Sequence, residues 1–191
     1  MNNSILIIMA GGKSSRMKCD KALLPFGGYN SLAEYQYRRF KASFAKVYIS
    51  AKNNKFDFSV NIIEDAYISS SPLVALVSIF ETLTDVEEVF ILSVDAPCVN
   101  LGVFQILKEE AKKESSVIVA DSKDGIEPLC AIYRRTILPS AKKMLKDNRH
   151  RLQTLFESVT TQKVFFKDEK LFLNMNYPAD YGRAKSLSSN I

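Results

Sequence analysis

The chain has 191 residues, of which 47% are hydrophobic, 25% charged and 10% aromatic, a composition expected of one folded domain over residues 1–191 and incompatible with disordered, collagen-like or disulfide-scaffold chains. Lys and Arg number 26 against 21 Asp and Glu, a net charge of +5, which points to a partner carrying phosphates and leaves open nucleic acid, membrane or a small anion. Three scattered cysteines, Cys19, Cys98 and Cys130, beside a single histidine, His150, make no zinc site of the usual spacing and fit a reducing cytoplasm.

Residues 4–9 (SILIIM) are continuously apolar, the pattern of a strand buried on both faces rather than an export signal, and they run straight into Ala10-Gly11-Gly12. A helix is predicted over 31–42, with Leu32, Tyr35 and Arg39 at helical spacing, followed by strands over 45–50 and 60–64. Ser69-Ser70-Ser71-Pro72 reads as a helix start, with Leu73, Leu76, Val77 and Phe80 on one face. The surrounding uncharged stretch, 66–80, holds Pro72 and four serines and falls short of the roughly 18 apolar residues a spanning helix needs. A cytoplasmic protein with no membrane contact is expected. Residues 88–94 (EVFILSV) predict another buried strand, ending at Asp95-Ala96-Pro97, and 103–111 a helix. Strands over 116–120 and 129–133 flank a turn at 121–125. Ile137, Leu138, Ala141, Met144 and Leu145 predict an amphipathic helix with Lys142, Lys143 and Lys146 opposite. A strand over 163–166 and a short helix after Pro178 complete the chain. Strands alternating with helices predict a three-layer, Rossmann-like α/β fold, its mostly parallel sheet covered on both faces.

The densest chemical signal is 10–25 (AGGKSSRMKCDKALLP), where a glycine pair at a strand's carboxyl end is followed by Lys13, Arg16, Lys18 and Lys21 against Asp20, a local charge of +3. Glycines let backbone N–H groups approach an anion, and the cations neutralise it, so a triphosphate cradle is expected. A solvated surface loop is the plain alternative. A Walker A loop requires Gly where this chain has Ile7, and a dinucleotide fingerprint requires a third glycine before Gly27; both fail. Asp95, at the end of an apolar strand, sits where a carboxylate can hold Mg²⁺ at a ligand crevice, although Asp before a turn also serves as a cap. Asp65, also just after a strand, is a candidate for contacting a ribose or base. No Cys/His or Ser/His nucleophile is evident, and Cys98 and Cys130 read as core packing. Residues 134–151 hold +6, so outside this segment and the glycine loop the chain carries −4. Two basic patches, one for a triphosphate and one for a second phosphorylated ligand, replace a nucleic-acid stripe as the expected partner surface.

These residues resemble the signature of the molybdenum cofactor guanylyltransferases, nucleotidyltransferases of the nucleotide-diphospho-sugar transferase fold. Met9-Ala10-Gly11-Gly12, Arg16-Met17 and Asp20-Lys21-Ala22-Leu23-Leu24 match the family's loop. Asp65, Ser71-Pro72-Leu73 and Asp95-Ala96-Pro97 match its middle segments; residues 127–133, Arg151-Leu152 and residues 174–178 match its late ones. Lys18, Ser71 and Ala75 stand where the family carries glycine. The resemblance implies transfer of GMP from GTP to the phosphate of molybdenum-molybdopterin with release of pyrophosphate. Met9, Ala10, Gly11 and Gly12 would meet the nucleotide, Arg16 and Lys21 the phosphates as catalytic groups, Asp65 the nucleoside, and Asp95 the magnesium. Arg149 and Arg151 are the candidates for the pterin substrate. Molybdopterin-synthesis proteins and target molybdoenzymes are the expected transient protein partners. The alternatives are a nucleotidyltransferase using CTP or a sugar phosphate, and a non-catalytic carrier of the cofactor.

Overall fold

The computed structural model describes residues 3–11, 19–67 and 69–188. Its seven strands are β1 (Ile5–Met9), β2 (Lys46–Ala51), β3 (Asn61–Glu64), β4 (Glu88–Ser93), β5 (Val117–Ser122), β6 (Gly125–Arg134) and β7 (Thr161–Phe165). They form one sheet in the order β3-β2-β1-β4-β6-β5-β7. Strands β1 to β4 run parallel to one another, β6 is antiparallel to both its neighbours, and β7 is parallel to β5. The mostly parallel, doubly covered sheet expected from the sequence is therefore present.

The helices are α1 (Leu32–Phe40), α2 (Pro72–Thr82), α3 (Leu101–Glu110), α4 (Leu138–Lys146), α5 (Leu152–Ser158) and α6 (Pro178–Ser188). Alternation along each strand divides the core into two layers. Leu6 and Ile8 of β1 join Leu32 and Phe40 of α1, Val103 and Phe104 of α3 and Ala184 of α6 on one face. Ile7 and Met9 join α2, α4 and α5 on the other. Leu73 to Phe80 of α2 are all buried, because that helix lies between the sheet and α4. Its start is the predicted one: the Ser71 hydroxyl accepts from the Val74 amide at 3.2 Å, and Pro72 occupies the first turn.

Two elements differ from the sequence expectation. Helix α5 was not predicted, since its seven residues give too few turns for a periodic signal. Strand β6 begins four residues earlier than expected, at Gly125, whose φ of +110° closes the two-residue turn from β5. Its first half is polar and contains Pro128, which masks the strand pattern. The β5–β6 register shifts between Val119 and Ala120: Val119 pairs with Ala131, but Ala120 pairs with Glu127. Residues 128–130 therefore bulge away from β5.

Candidate active site

The chain passes from β1 outward to β2 and β3, then returns to lay β4 against the other side of β1. The reversal opens a crevice at the carboxyl ends of β1 and β4, where open α/β sheets bind ligands. The two ends are tied together by the Val94 amide, which donates to the Met9 carbonyl at 3.0 Å. Beyond it Asp95 is fixed at three points. The Ser93 hydroxyl donates to Oδ1 at 2.6 Å, the Lys21 ammonium to Oδ2 at 2.7 Å, and the Met175 amide to the Asp95 carbonyl at 2.9 Å. Lys21 Nζ also donates to Asn176 Oδ1 at 2.9 Å. The side chains of Lys21 and Asp95 are only 13% and 19% exposed, dry enough for their charges to act strongly on a ligand.

Local sequence explains these placements. Asp20 starts a 3₁₀ turn over Lys21–Leu23 by accepting from the Ala22 amide at 3.0 Å, which turns Lys21 into the crevice. Lys55 holds the base of the loop, donating to the Ala10 carbonyl at 3.1 Å and pairing with Asp20. From α1, the fully buried Gln36 amide donates to the Val94 and Ala96 carbonyls at 3.3 and 3.2 Å, and Arg39 donates to the Pro97 carbonyl. The loop carrying Asp95 thus rests on a helix rather than on solvent.

Two cavities meet here and share Pro72 and Leu129 in their walls. The first, about 390 Å³, is lined by Met9, Gly11, Ser50, Asp65 and the amino end of α2. Among the described residues nothing lies within 4 Å of a Cβ added at Gly11. Asp65 Oδ1 is buried with no hydrogen-bond partner among the described residues. Burial raises its pKa, opposed by the charge of Lys52. Such an oxygen is satisfied by a donor from a ligand, for example a sugar hydroxyl or a base N–H. The second cavity, about 430 Å³, holds Asp95, Glu127, Arg151 and Asn176. Asp95 thus lines the second cavity, which adjoins the first along the wall of Pro72 and Leu129.

For a divalent cation the crevice offers hard oxygens: the Asp95 carboxylate, the Ser93 hydroxyl and the Asn176 carbonyl. Among the described residues no three or more His, Cys, Asp or Glu converge on a metal position. One carboxylate supplemented by substrate phosphates and water is the donor set that suits Mg²⁺.

Of the sequence-predicted residues, the structure brings Met9, Gly11 and Asp65 to one cavity and Asp95 and Arg151 to the other. Ala10 lines neither, its amide donating to the Ser50 carbonyl at 2.8 Å and its carbonyl accepting from Lys55. Gly12 and Arg16 lie outside the described residues. Arg149 lines neither cavity and pairs with Asp147 at 2.8 Å. The +6 segment is not one ligand patch. Arg134 clasps the Lys112, Lys113 and Ser115 carbonyls, Arg135 the Phe80, Leu83 and Val86 carbonyls, and Lys142 pairs with Glu81. Charge counting overlooked this because an arginine satisfying backbone carbonyls looks the same in sequence as one facing solvent. Sequence reasoning also assigned no role to Lys55, Gln36, Ser93, Asn176 or His150. His150 Nδ1 meets the Ser71 hydroxyl at 2.9 Å and Nε2 meets Asn148 Oδ1 at 3.0 Å, linking the loop before Arg151 to the cap of α2.

Residues 6–163 match the family model described as the MobA-like NTP transferase domain. The chain is 34% identical over 188 residues to a molybdenum cofactor guanylyltransferase of Campylobacter jejuni, covering 97% of each protein. It is 32% identical to one of Helicobacter pylori, over 95% of this chain and 88% of that one. A solved structure of a molybdopterin-guanine dinucleotide biosynthesis protein A from Archaeoglobus fulgidus superposes with a TM-score of 0.82 at 17% identity, covering 98% of this chain and all of that one. The chain belongs to the MobA-like NTP transferases, and within them to the molybdenum cofactor guanylyltransferase family.

Proposed function

We propose that the protein transfers GMP from GTP to the terminal phosphate of molybdenum-molybdopterin, releasing pyrophosphate and forming a molybdopterin guanine dinucleotide. The observation that carries this reading is the Lys21–Asp95 pair beside two adjoining cavities: Asp95 and Arg151 line one, and Gly11 and Asp65, whose Oδ1 has no hydrogen-bond partner among the described residues, line the other. GTP occupies the cavity of Gly11 and Asp65, with Asp65 accepting from the nucleoside. The acceptor occupies the cavity of Arg151, which holds its phosphate. An acceptor phosphate oxygen forms a bond to the α-phosphorus, the α–β bridging P–O bond breaks, and pyrophosphate leaves with that electron pair. Both partners are anions, so the protein's work is positioning and charge neutralisation, and no covalent nucleophile is required. Lys21 moves its ammonium from Asp95 onto the phosphates, and Arg16, in the glycine loop, adds a second cation. Asp95 would hold Mg²⁺, which when bound would supply further neutralisation of the triphosphate. Molybdopterin-synthesis proteins deliver the acceptor and target molybdoenzymes receive the product, as transient partners.

A thermal-shift panel of the four ribonucleoside triphosphates with Mg²⁺ tests the donor. GTP should raise the melting temperature most, because a ligand bound only by the native state at about 100 times its Kd stabilises by about 2.7 kcal/mol. A larger rise with CTP, or none with GTP, contradicts the assignment.

A further inference from the structure

Strand β6 pairs with β4 only as far as Cys130, opposite Leu92, so its first half extends past the end of β4 beside Asp95. The register shift against β5 frees residues 128–130 and re-aims this stretch. As a result Glu127 lines the wall of the second cavity together with Pro128 and Leu129. The charged groups acting on it, Asp124 and Asp95, are both acidic, while the nearby polar side chains of Asn174 and Ser122 favour its ionised form. An ionised carboxylate in that wall offers two acceptor oxygens to whatever fills the cavity.

We propose that Glu127 recognises the 2-amino-4-oxo edge of the pterin acceptor, accepting from its adjacent N–H donors; this rests on the guanylyl-transfer reading above. The edge presents a ring N–H and an amino N–H side by side, the complement of a carboxylate's two oxygens. The remainder of the cavity fits the rest of such a ligand. Val99, Leu129, Leu152 and Phe172 offer apolar surface to a fused ring, and Arg151 offers a cation to its phosphate. Burial raises the Glu127 pKa, as expected for a carboxylate that gains from meeting donors. Guanine carries the same donor pair, but Glu127 is absent from the cavity formed by Met9, Gly11 and Asp65, which assigns it to the acceptor.

The test compares a 6-substituted pterin monophosphate with its lumazine analogue, in which a carbonyl replaces the 2-amino group. Pterin fluorescence reports binding directly in a chain without tryptophan. The full-length protein should prefer the pterin by roughly tenfold or more, since a site built to accept from an N–H rejects a ligand lacking it. Glu127→Gln should reduce that preference to below about threefold, a loss of most of the discrimination expected of a bidentate site. The thermal shift with GTP should be unchanged in the variant, which also establishes that it is folded. A variant that keeps the pterin preference overturns the proposal, as does wild-type protein that responds to GTP yet binds neither pteridine. A variant that loses its preference for GTP over ITP instead would move Glu127 to the nucleotide site. Absence of any GTP response in wild-type protein would sink the guanylyl-transfer reading itself.

Discussion

Asp95 lines the second cavity and pairs with Lys21, and this environment sets what a substitution should do. Replacing it with Asn keeps the Ser93 contact and the shape but removes the charge that pairs with Lys21 and would hold a cation. Asp95→Asn should lower pyrophosphate release by about 10²-fold or more, with the fold intact by circular dichroism; activity within threefold of wild type, about 0.7 kcal/mol, would remove Asp95 from the chemistry. Asp65 has a different signature. Its pKa is raised by burial, so the folded state favours the neutral acid and the ionised form costs stability. By linkage that cost is absent below the unfolded carboxylate pKa and is fully present once pH has risen above the folded one. Asp65→Asn should therefore raise the melting temperature at neutral pH, lose that advantage as pH falls through the carboxylate range, and weaken GTP binding. A variant that gains stability equally at low and neutral pH would assign the gain to another cause. Both carboxylates are legible in the sequence because each directly follows a strand, and strand ends at a parallel sheet's carboxyl edge are where ligands bind. Lys55 and Gln36 are not legible, because their partners, backbone carbonyls and for Lys55 also Asp20, are distant in sequence and are brought to them only by the fold.

At the scale of elements, apolar runs made β1 and β4 readable, and the capping serine with its following proline made the start of α2 readable. The short α5 and the polar, proline-interrupted start of β6 escaped, because neither carries a periodic hydrophobic pattern. That second omission matters most for the site, since this stretch of β6, Glu127 beside the bulge and Leu129 within it, lines the cavity wall. The basic segment after β6 was misjudged in the opposite direction. Arg135 donates to three carbonyls around the end of α2, so it fastens α2 to the strand rather than facing a ligand. Arg135→Ala should destabilise the protein by about 2 kcal/mol, because partly buried carbonyls lose a charged donor. The activity of the molecules that remain folded should be preserved; a specific loss of acceptor affinity without destabilisation would restore the ligand-patch reading. Ser71→Ala removes the α2 cap and should cost about 1 kcal/mol. Since it also breaks the contact with His150, it should loosen the loop leading to Arg151, visible as faster amide exchange at residues 148–151.

For the whole molecule, the net charge of +5 resolves into structural clasps, surface pairs and a few cations at the crevice. On the function proposed above, one cavity takes the nucleotide and the other the acceptor, and Arg151, not Arg149, lines the latter. Charge reversal at Arg151 should therefore weaken the pterin substrate far more than GTP, and the same change at Arg149 should affect both little; equal losses from the two variants would contradict the division. Among the described residues no helix is long and apolar enough to cross a membrane. The three-layer arrangement was readable from the alternation of strands and helices, while the antiparallel insertion of β6 between β4 and β5 was not, because strand direction leaves no mark in hydrophobic pattern. That arrangement places both cavities on one edge of the sheet, and the central claim is that a nucleotidyl group passes between them at Asp95. Incubation of the protein with Mg²⁺, molybdenum-molybdopterin and GTP labelled at the α-phosphorus tests this most directly. The label should appear in the pterin product over many turnovers, with one pyrophosphate released per transfer; label remaining in GTP when folded protein binds both substrates would contradict it.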